Sequence, residues 1–186
     1  MKNILISMQP QWVEKILNGE KTIEIRKTMP KCKLPCKVYI YCTKNEKQYL
    51  SNVKCCESLL MDSNSLGKVV AKFMLYDIET IERDFNDWLP KRMYDIMPSQ
   101  LEASCLTEKE LCDYGNGKVL YAWYIDDLKI YDKPKELSEF GQECLQASEI
   151  HCRDCIHNKN WDDCCSVMIK PLKTPPQSWC YVEENL

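Results

Sequence analysis

The segment Gly19-Glu20-Lys21-Thr22-Ile23-Glu24-Ile25-Arg26 constrains the fold more than any other stretch of the chain. Before it, residues 11–18 place Trp12, Val13, Ile16 and Leu17 on one helical face, with Pro10 near the start, where its missing N–H costs little. Glycine commonly ends such a helix because it tolerates the left-handed turn at C′. Residues 22–26 then alternate, sending Ile23 and Ile25 to one side and Thr22, Glu24 and Arg26 to the other. A helix therefore turns directly into a strand with opposite charges on one face and Lys21 at its mouth.

That face has two readings. A fixed carboxylate can accept from an amino or imide N–H of a base, while lysine and arginine donate to carbonyl or phosphate oxygens. Alternatively, Glu24 and Arg26 form a solvated i, i+2 pair of little energetic weight.

The rest of the chain is expected to be one α+β domain spanning residues 1–186. Residues 4–8 read as a first strand, and Val38, Ile40 and Cys42 alternate with Tyr39 and Tyr41 in another. The aromatic face of that strand is either wet and ligand-lined or packed core. Residues 45–66 read as an insertion, and residues 68–75 as a strand. Residues 77–118 read as an acidic helical insertion, with a Thr107–Glu110 capping box and a stop at Gly115. Residues 120–125 and 128–131 read as strands, with Lys133-Pro134 closing that unit, and residues 178–182 read as the last strand. Several strands with interspersed helices and no regular β-α alternation suggest a small barrel.

Charge is uneven. Residues 1–54 hold 11 Lys and Arg against 4 Asp and Glu, a net +7 in a chain of net charge -3, so the remainder carries -10. The basic half suits an anionic ligand or RNA, or serves solubility, while the acidic remainder opposes broad wrapping of a duplex. No run of about 18 apolar residues is present, which excludes an obvious membrane helix. The first residues lack the apolar region of a signal peptide, so a cytoplasmic location is expected.

These motifs resemble a known family. Ser7-Met8-Gln9-Pro10-Gln11-Trp12, the Gly19-x-Lys21-x-x-Glu24-x-Arg26 signature, Gly67-Lys68-Val69-Val70 and Tyr121-Ala122-Trp123-Tyr124-Ile125 look like an ASCH domain. The terminal run Pro175-Pro176-Gln177-Ser178-Trp179-Cys180-Tyr181-Val182 recurs in phage-associated bacterial members. The resemblance implies a PUA-like β-barrel with a cleft between barrel and helix, and binding of RNA or a modified nucleoside. It implies that Lys21, Glu24 and Arg26 line the cleft, with Ser7 and Trp12 near its rim and Thr22 beside Glu24. Trp12, Tyr41 and Trp123 are candidates for stacking on a base.

Two alternatives stand beside binding. Some bacterial relatives act as amidohydrolases on acylated cytidine through a lysine, a threonine and a glutamate. Lys21 matches the lysine, but Glu24 occupies the threonine position, and the third group is sought near Glu79 and Glu82. In a hydrolytic version Lys21 and Glu24 are the catalytic pair, with Glu24 holding a water or the substrate amine and Lys21 or Arg26 stabilising the oxyanion. The other alternative is a phage-type interaction module that contacts a protein partner through its insertions.

The chain has 13 cysteines, and an odd number fits a disulfide framework poorly. Cys152-Arg153-Asp154-Cys155 lets two thiolates converge on one tetrahedral Zn²⁺. With Cys144 and Cys165 as the chosen second pair it is expected to form a structural zinc set, for which Cys164, His157 or Cys180 are substitutes, and unliganded thiols are the alternative. The expected zinc loop covers residues 141–174, before the last strand. A closed set of four thiolates leaves no open position for catalysis, and a thioredoxin-like role lacks a βαβ context. Cys42, Cys105 and Cys112 read as small buried apolar residues.

Overall fold

A computed structural model describes residues 2–44, 63–83, 94–143 and 169–184. Among these residues the chain runs β1 (Asn3–Met8), α1 (Pro10–Leu17), β2 (Ile23–Arg26), β3 (Cys36–Cys42), β4 (Val69–Leu75) and β5 (Ile78–Ile81). It continues with α2 (Pro98–Ala103), α3 (Glu108–Gly115), β6 (Leu120–Tyr124), β7 (Asp126–Lys135), β8 (Phe140–Glu143), β9 (Ile169–Pro171) and β10 (Trp179–Glu184).

β1 is central because both of its faces and both of its edges are occupied. Its run Ile4-Leu5-Ile6 is fully buried, the continuous apolar pattern of a strand covered on both sides. It pairs parallel with β3 and antiparallel with β10. These strands belong to a seven-stranded sheet ordered β7-β4-β3-β1-β10-β8-β9. On one face Ile4, Ile6 and Met8 pack with Val13, Ile16 and Leu17 of α1 and with Val38, Ile40, Phe73 and Trp123. On the other, Leu5 packs with Tyr39, Tyr41, Val69, Phe140 and Val182.

The second sheet, β2-β6-β5, is short and antiparallel. Ile23 and Ile25 of β2 pack with Ile81, Leu111, Leu120 and Ala122, so the apolar side of the alternation faces the α2–α3 region. The opposite side of β2 is left for Glu24 and Arg26. Gly19 makes the geometry possible: it follows the C-cap Asn18 with φ of +77°, and the N–H groups of Glu20 and Lys21 both return to Lys15 O, at 2.9 and 3.0 Å.

Several expectations are revised. Ile78–Ile81 is a strand, not the start of a helical segment at residue 77. Ile78, Thr80 and Ile81 are β-branched and favour extended backbone, and β6 offers them a free edge. Tyr39 and Tyr41 are packed core rather than a wet face. β7 continues through Lys133-Pro134 to Lys135, which an outermost strand tolerates because the missing proline N–H faces no partner.

Phe140–Glu143 and Ile169–Pro171 are paired strands, so the ends of the segment read as a zinc loop belong to the sheet. Cys144, Cys152, Cys155 and Cys165, with His151, His157 and Cys164, lie outside the described residues, as does most of the 45–66 insertion. The two sheets are separate ladders, and no closed barrel is shown among the described residues.

The capping box forms as read: Thr107 is the N-cap of α3, and Glu110 N donates to Thr107 Oγ1 at 3.2 Å. The helix stops one residue later than read, at Asn116 in the left-handed region, with Gly115 its last residue. Inside a helix, alanine ordinarily gains about 1 kcal/mol over glycine. Here a Cβ on Gly115 would meet Tyr94 Oη at 1.9 Å and Cζ at 2.5 Å, on a ring that is 1% exposed. Overpacking reverses the sign, so Gly115→Ala should lower the unfolding free energy by about 1–3 kcal/mol in urea titration. A gain in stability would show that α3 moves off Tyr94 freely.

Candidate functional site

The turn after α1 delivers Lys21 to a place where its charge is almost dry. Lys21 is 2% exposed, Glu24 8% and Arg26 7%. Lys21 Nζ donates to Ser104 O at 2.6 Å and lies 3.2 Å from Glu24 Oε2. Arg26 Nε lies 2.9 Å from Glu24 Oε1, an ion contact rather than an aligned N–H bond. The far end of the guanidinium is tethered elsewhere: Nη2 donates to Ser7 O at 3.1 Å, and Nη1 to Ser178 Oγ at 3.2 Å and Ser178 O at 3.4 Å. The solvated-pair reading therefore does not describe these residues. One carboxylate bridges two cations, and main-chain carbonyls take up much of the remaining donor capacity.

The three charges line a cavity of about 700 Å³, within the range of small-molecule sites. Ser7 and Met8 reach it from β1, Trp12 from α1, Thr43 from the end of β3, and Pro175, Pro176 and Gln177 from the segment before β10. Leu106, Glu110 and Tyr114 line it from the α3 region. Lys21 Nζ is 5.4 Å from the centroid of the half-buried Trp12 ring, and Lys15 Nζ 5.6 Å. Lys27 Nζ is 4.6 Å from that of Tyr114. Burial pushes the Tyr114 phenol above its ordinary range; Arg26 pulls it down and Glu24 pushes it up, leaving a neutral hydroxyl at pH 7. The Glu110 carboxyl is held below the usual range by the backbone N–H and hydroxyl of Thr107, both on Oε2 at 2.8 Å.

Of the residues read from sequence, Ser7, Trp12, Lys21, Glu24 and Arg26 come together here. Thr22 does not: it precedes β2, its side chain is exposed, and its backbone binds Ala103 O and Ile125 N. Tyr41 and Trp123 are core residues and offer no stacking face. Glu79 accepts from Tyr124 Oη at 2.8 Å and binds Gln100, and neither Glu79 nor Glu82 lines the cavity. Leu106, Glu110 and Tyr114 were not anticipated, although Glu110 and Tyr114, four apart on α3, carry the signal of one shared helical side; Leu106 precedes the N-cap Thr107. Thr43 carried no signal beyond following a strand.

No group of three or more metal-ligating side chains occurs among the described residues. Cys42 is buried, and burial pushes its thiol up to about 12, which suits packing rather than reactivity. Cys105 and Cys112 are only partly buried. Among the described residues no helix is long and apolar enough to cross a membrane.

Glu24→Gln removes the counter-charge of two buried cations, so the unfolding free energy should fall by about 3 kcal/mol or more in urea titration. Thr22→Ala should change it by less than about 0.5 kcal/mol. Equally small effects would mean that the cluster is solvated.

Comparison with known proteins matches residues 6–160 to the ASCH domain. No curated protein matches the sequence. Among solved structures, the ASCH protein of Zymomonas mobilis is similar at 20% identity and a TM-score of 0.54, over 98% of this chain and 88% of that one. A serine-to-alanine variant of that protein gives 20% and 0.54 over 99% and 90%. A tyrosine-to-phenylalanine variant gives 17% and 0.52 over 100% and 93%. At these identities the likeness is one of fold.

Proposed function

Because the chain belongs to the ASCH domain family, whose members are generally associated with RNA, we propose that its cavity binds a base of RNA or of a free modified nucleoside. One observation carries this reading: the dry Lys21–Glu24–Arg26 cluster lines a cavity of about 700 Å³ together with the half-buried ring of Trp12. A base needs a face to stack on and fixed polar groups to meet its edge. Trp12 supplies the first, and its two lysine neighbours add positive charge beside the ring.

Binding is favoured over amidohydrolysis by the same geometry. Lys21 acts as a donor to Ser104 O and as an ion partner of Glu24, where a catalytic lysine needs its nitrogen free to take a proton. Glu24, in the position of the hydrolytic threonine, is bracketed by both cations. A protein-contact role has no comparable feature among the described residues.

Trp12 is half-buried, so Trp12→Ala should leave the fold intact and weaken binding of short single-stranded RNA or the cognate nucleoside about 10- to 100-fold. Fluorescence or calorimetric titration measures this, and unchanged affinity would remove the cavity from recognition. Incubation with N4-acetylcytidine should give no product; Lys21-dependent turnover would replace the binding reading with the hydrolytic one.

The zinc set Cys144, Cys152, Cys155 and Cys165 is a second proposal. Its support is the donor chemistry and the β8–β9 pairing, which returns the chain to a neighbouring strand after the cysteine segment, a closure that a metal would brace. Dialysed protein should retain stoichiometric zinc by elemental analysis and lose it in the Cys152→Ser, Cys155→Ser double variant. Metal-free wild-type protein would refute the site.

A further inference from the structure

The chain that leaves the cavity after Arg26 is basic. Residues 25–42 contain no Asp or Glu and hold Arg26, Lys27, Lys31, Lys33 and Lys37. Arg26 is engaged by Glu24, Ser7 O and Ser178. Lys37 alternates with Cys36 and Val38, which pack on the α1 side of the large sheet, so it faces the other way. The three that remain, Lys27, Lys31 and Lys33, are exposed, and none of them forms an ion pair among the described residues.

Their loop is fastened along the sheet. Arg26 Nη2 binds Ser7 O near the end of β1. Thr28 Oγ1 accepts from Trp179 Nε1 at 2.9 Å, and Trp179 pairs with Ile6. Lys31 N donates to Tyr181 Oη at 2.6 Å, and Tyr181 pairs with Ile4. The loop thus descends β1 from the cavity at Ser7 to the level of Ile4, about 10 Å at the rise of a strand. Pro30 is buried, and Cys32 and Leu34 pack against the core, so the backbone is fixed between the exposed lysines. At the upper end Lys27 Nζ lies 4.6 Å from the centroid of Tyr114, which lines the cavity. On β10 the first carboxylate is Glu183, beyond Val182, the partner of Asn3.

Three uncompensated cations on a tethered loop that starts at a cavity suit an anion that repeats along a line. A phosphodiester backbone is such an anion, and a base held in the cavity carries it past the mouth. A free nucleoside has no group that reaches Lys31 or Lys33. A duplex keeps its bases stacked, and the net charge of -10 outside residues 1–54 repels it. Lysines kept for solubility are ordinarily interspersed with carboxylates.

We propose that Lys27, Lys31 and Lys33 form a phosphate track leading out of the cavity, so that the ligand is a single-stranded polynucleotide with one unstacked base in the cavity and not a free nucleoside. This rests on the nucleobase reading above and adds the backbone contacts that it leaves open.

The test is titration of the full chain with cytidine, uridine and adenosine by calorimetry, and with labelled single-stranded RNA homopolymers of the same bases, about ten nucleotides long, by fluorescence anisotropy. At low salt the RNA of the tightest nucleoside should bind at least about tenfold tighter than that nucleoside. It should weaken about 20-fold between 50 and 200 mM salt, from a slope of about −0.7 for each of three phosphates. The Lys27→Gln, Lys31→Gln, Lys33→Gln triple variant should cut that loss to less than about threefold, with nucleoside affinity and melting temperature unchanged. The same change of charge at the exposed Lys118, Lys129 and Lys133 should leave the salt dependence of the wild type. RNA that binds no tighter than its nucleoside, equal effects of the two triple variants, or polyglutamate that binds as tightly as the RNA overturns the track and leaves the nucleobase reading intact. RNA binding that needs the three lysines but is unchanged in Trp12→Ala overturns the nucleobase reading and the strand path with it. Failure of every nucleoside and every RNA to bind overturns both.

Discussion

A single carboxylate held between two cations in a nearly dry place is the interaction on which the rest of the site depends. Isolated burial of any of these charges would be costly, and a bare ion pair repays that cost poorly unless further hydrogen bonds satisfy its remaining donors. Here they do. Lys21 reaches the end of α2 through Ser104 O, and Arg26 reaches β1 through Ser7 O and the approach to β10 through Ser178. The cluster thereby fastens β2, a strand of the small sheet, to two parts of the large one. The cavity lies where those parts meet.

The apolar framework makes that fastening possible. Within β6, Trp123 is paired in register with Glu24 yet is fully buried in the cluster built by β1, α1 and β3. Its ring lies 5.9 Å from that of Trp179 on β10. The small sheet is thus keyed into the large one by an indole on one strand and by the guanidinium on its neighbour. Removing water from around both is what gives the ion contacts their strength, since charges attract more strongly in a low-dielectric setting.

What sequence reveals here is local. The α1 periodicity, the Gly19 stop, the alternation of β2 and the Thr107–Glu110 box are each readable within a few residues, and each forms. What it hides is the identity of partners. Arg26 and Ser178 are 152 positions apart, and Lys21 and Ser104 are 83 apart, so no window of sequence shows that these cations face carbonyls. β5 was concealed because its edge partner, not its own acidic surroundings, decides its state. Thr22 was misplaced for a related reason: alternation gives the parity of a side chain but not the point where the strand begins, and β2 begins one residue later.

The residue at position 24 then shapes the electrostatics of the cluster. A threonine beside Lys21 would leave the lysine nitrogen facing a neutral, donor-capable neighbour and available for proton transfer. Glutamate engages that nitrogen directly, and it also fills the site between Lys21 and Arg26 with the negative charge that a developing oxyanion would otherwise occupy. The same glutamate makes the buried cluster self-consistent as a scaffold. The cavity wall that the cluster does not engage includes the half-buried Trp12 ring. The charges of the cluster thus serve to position the elements that line the cavity.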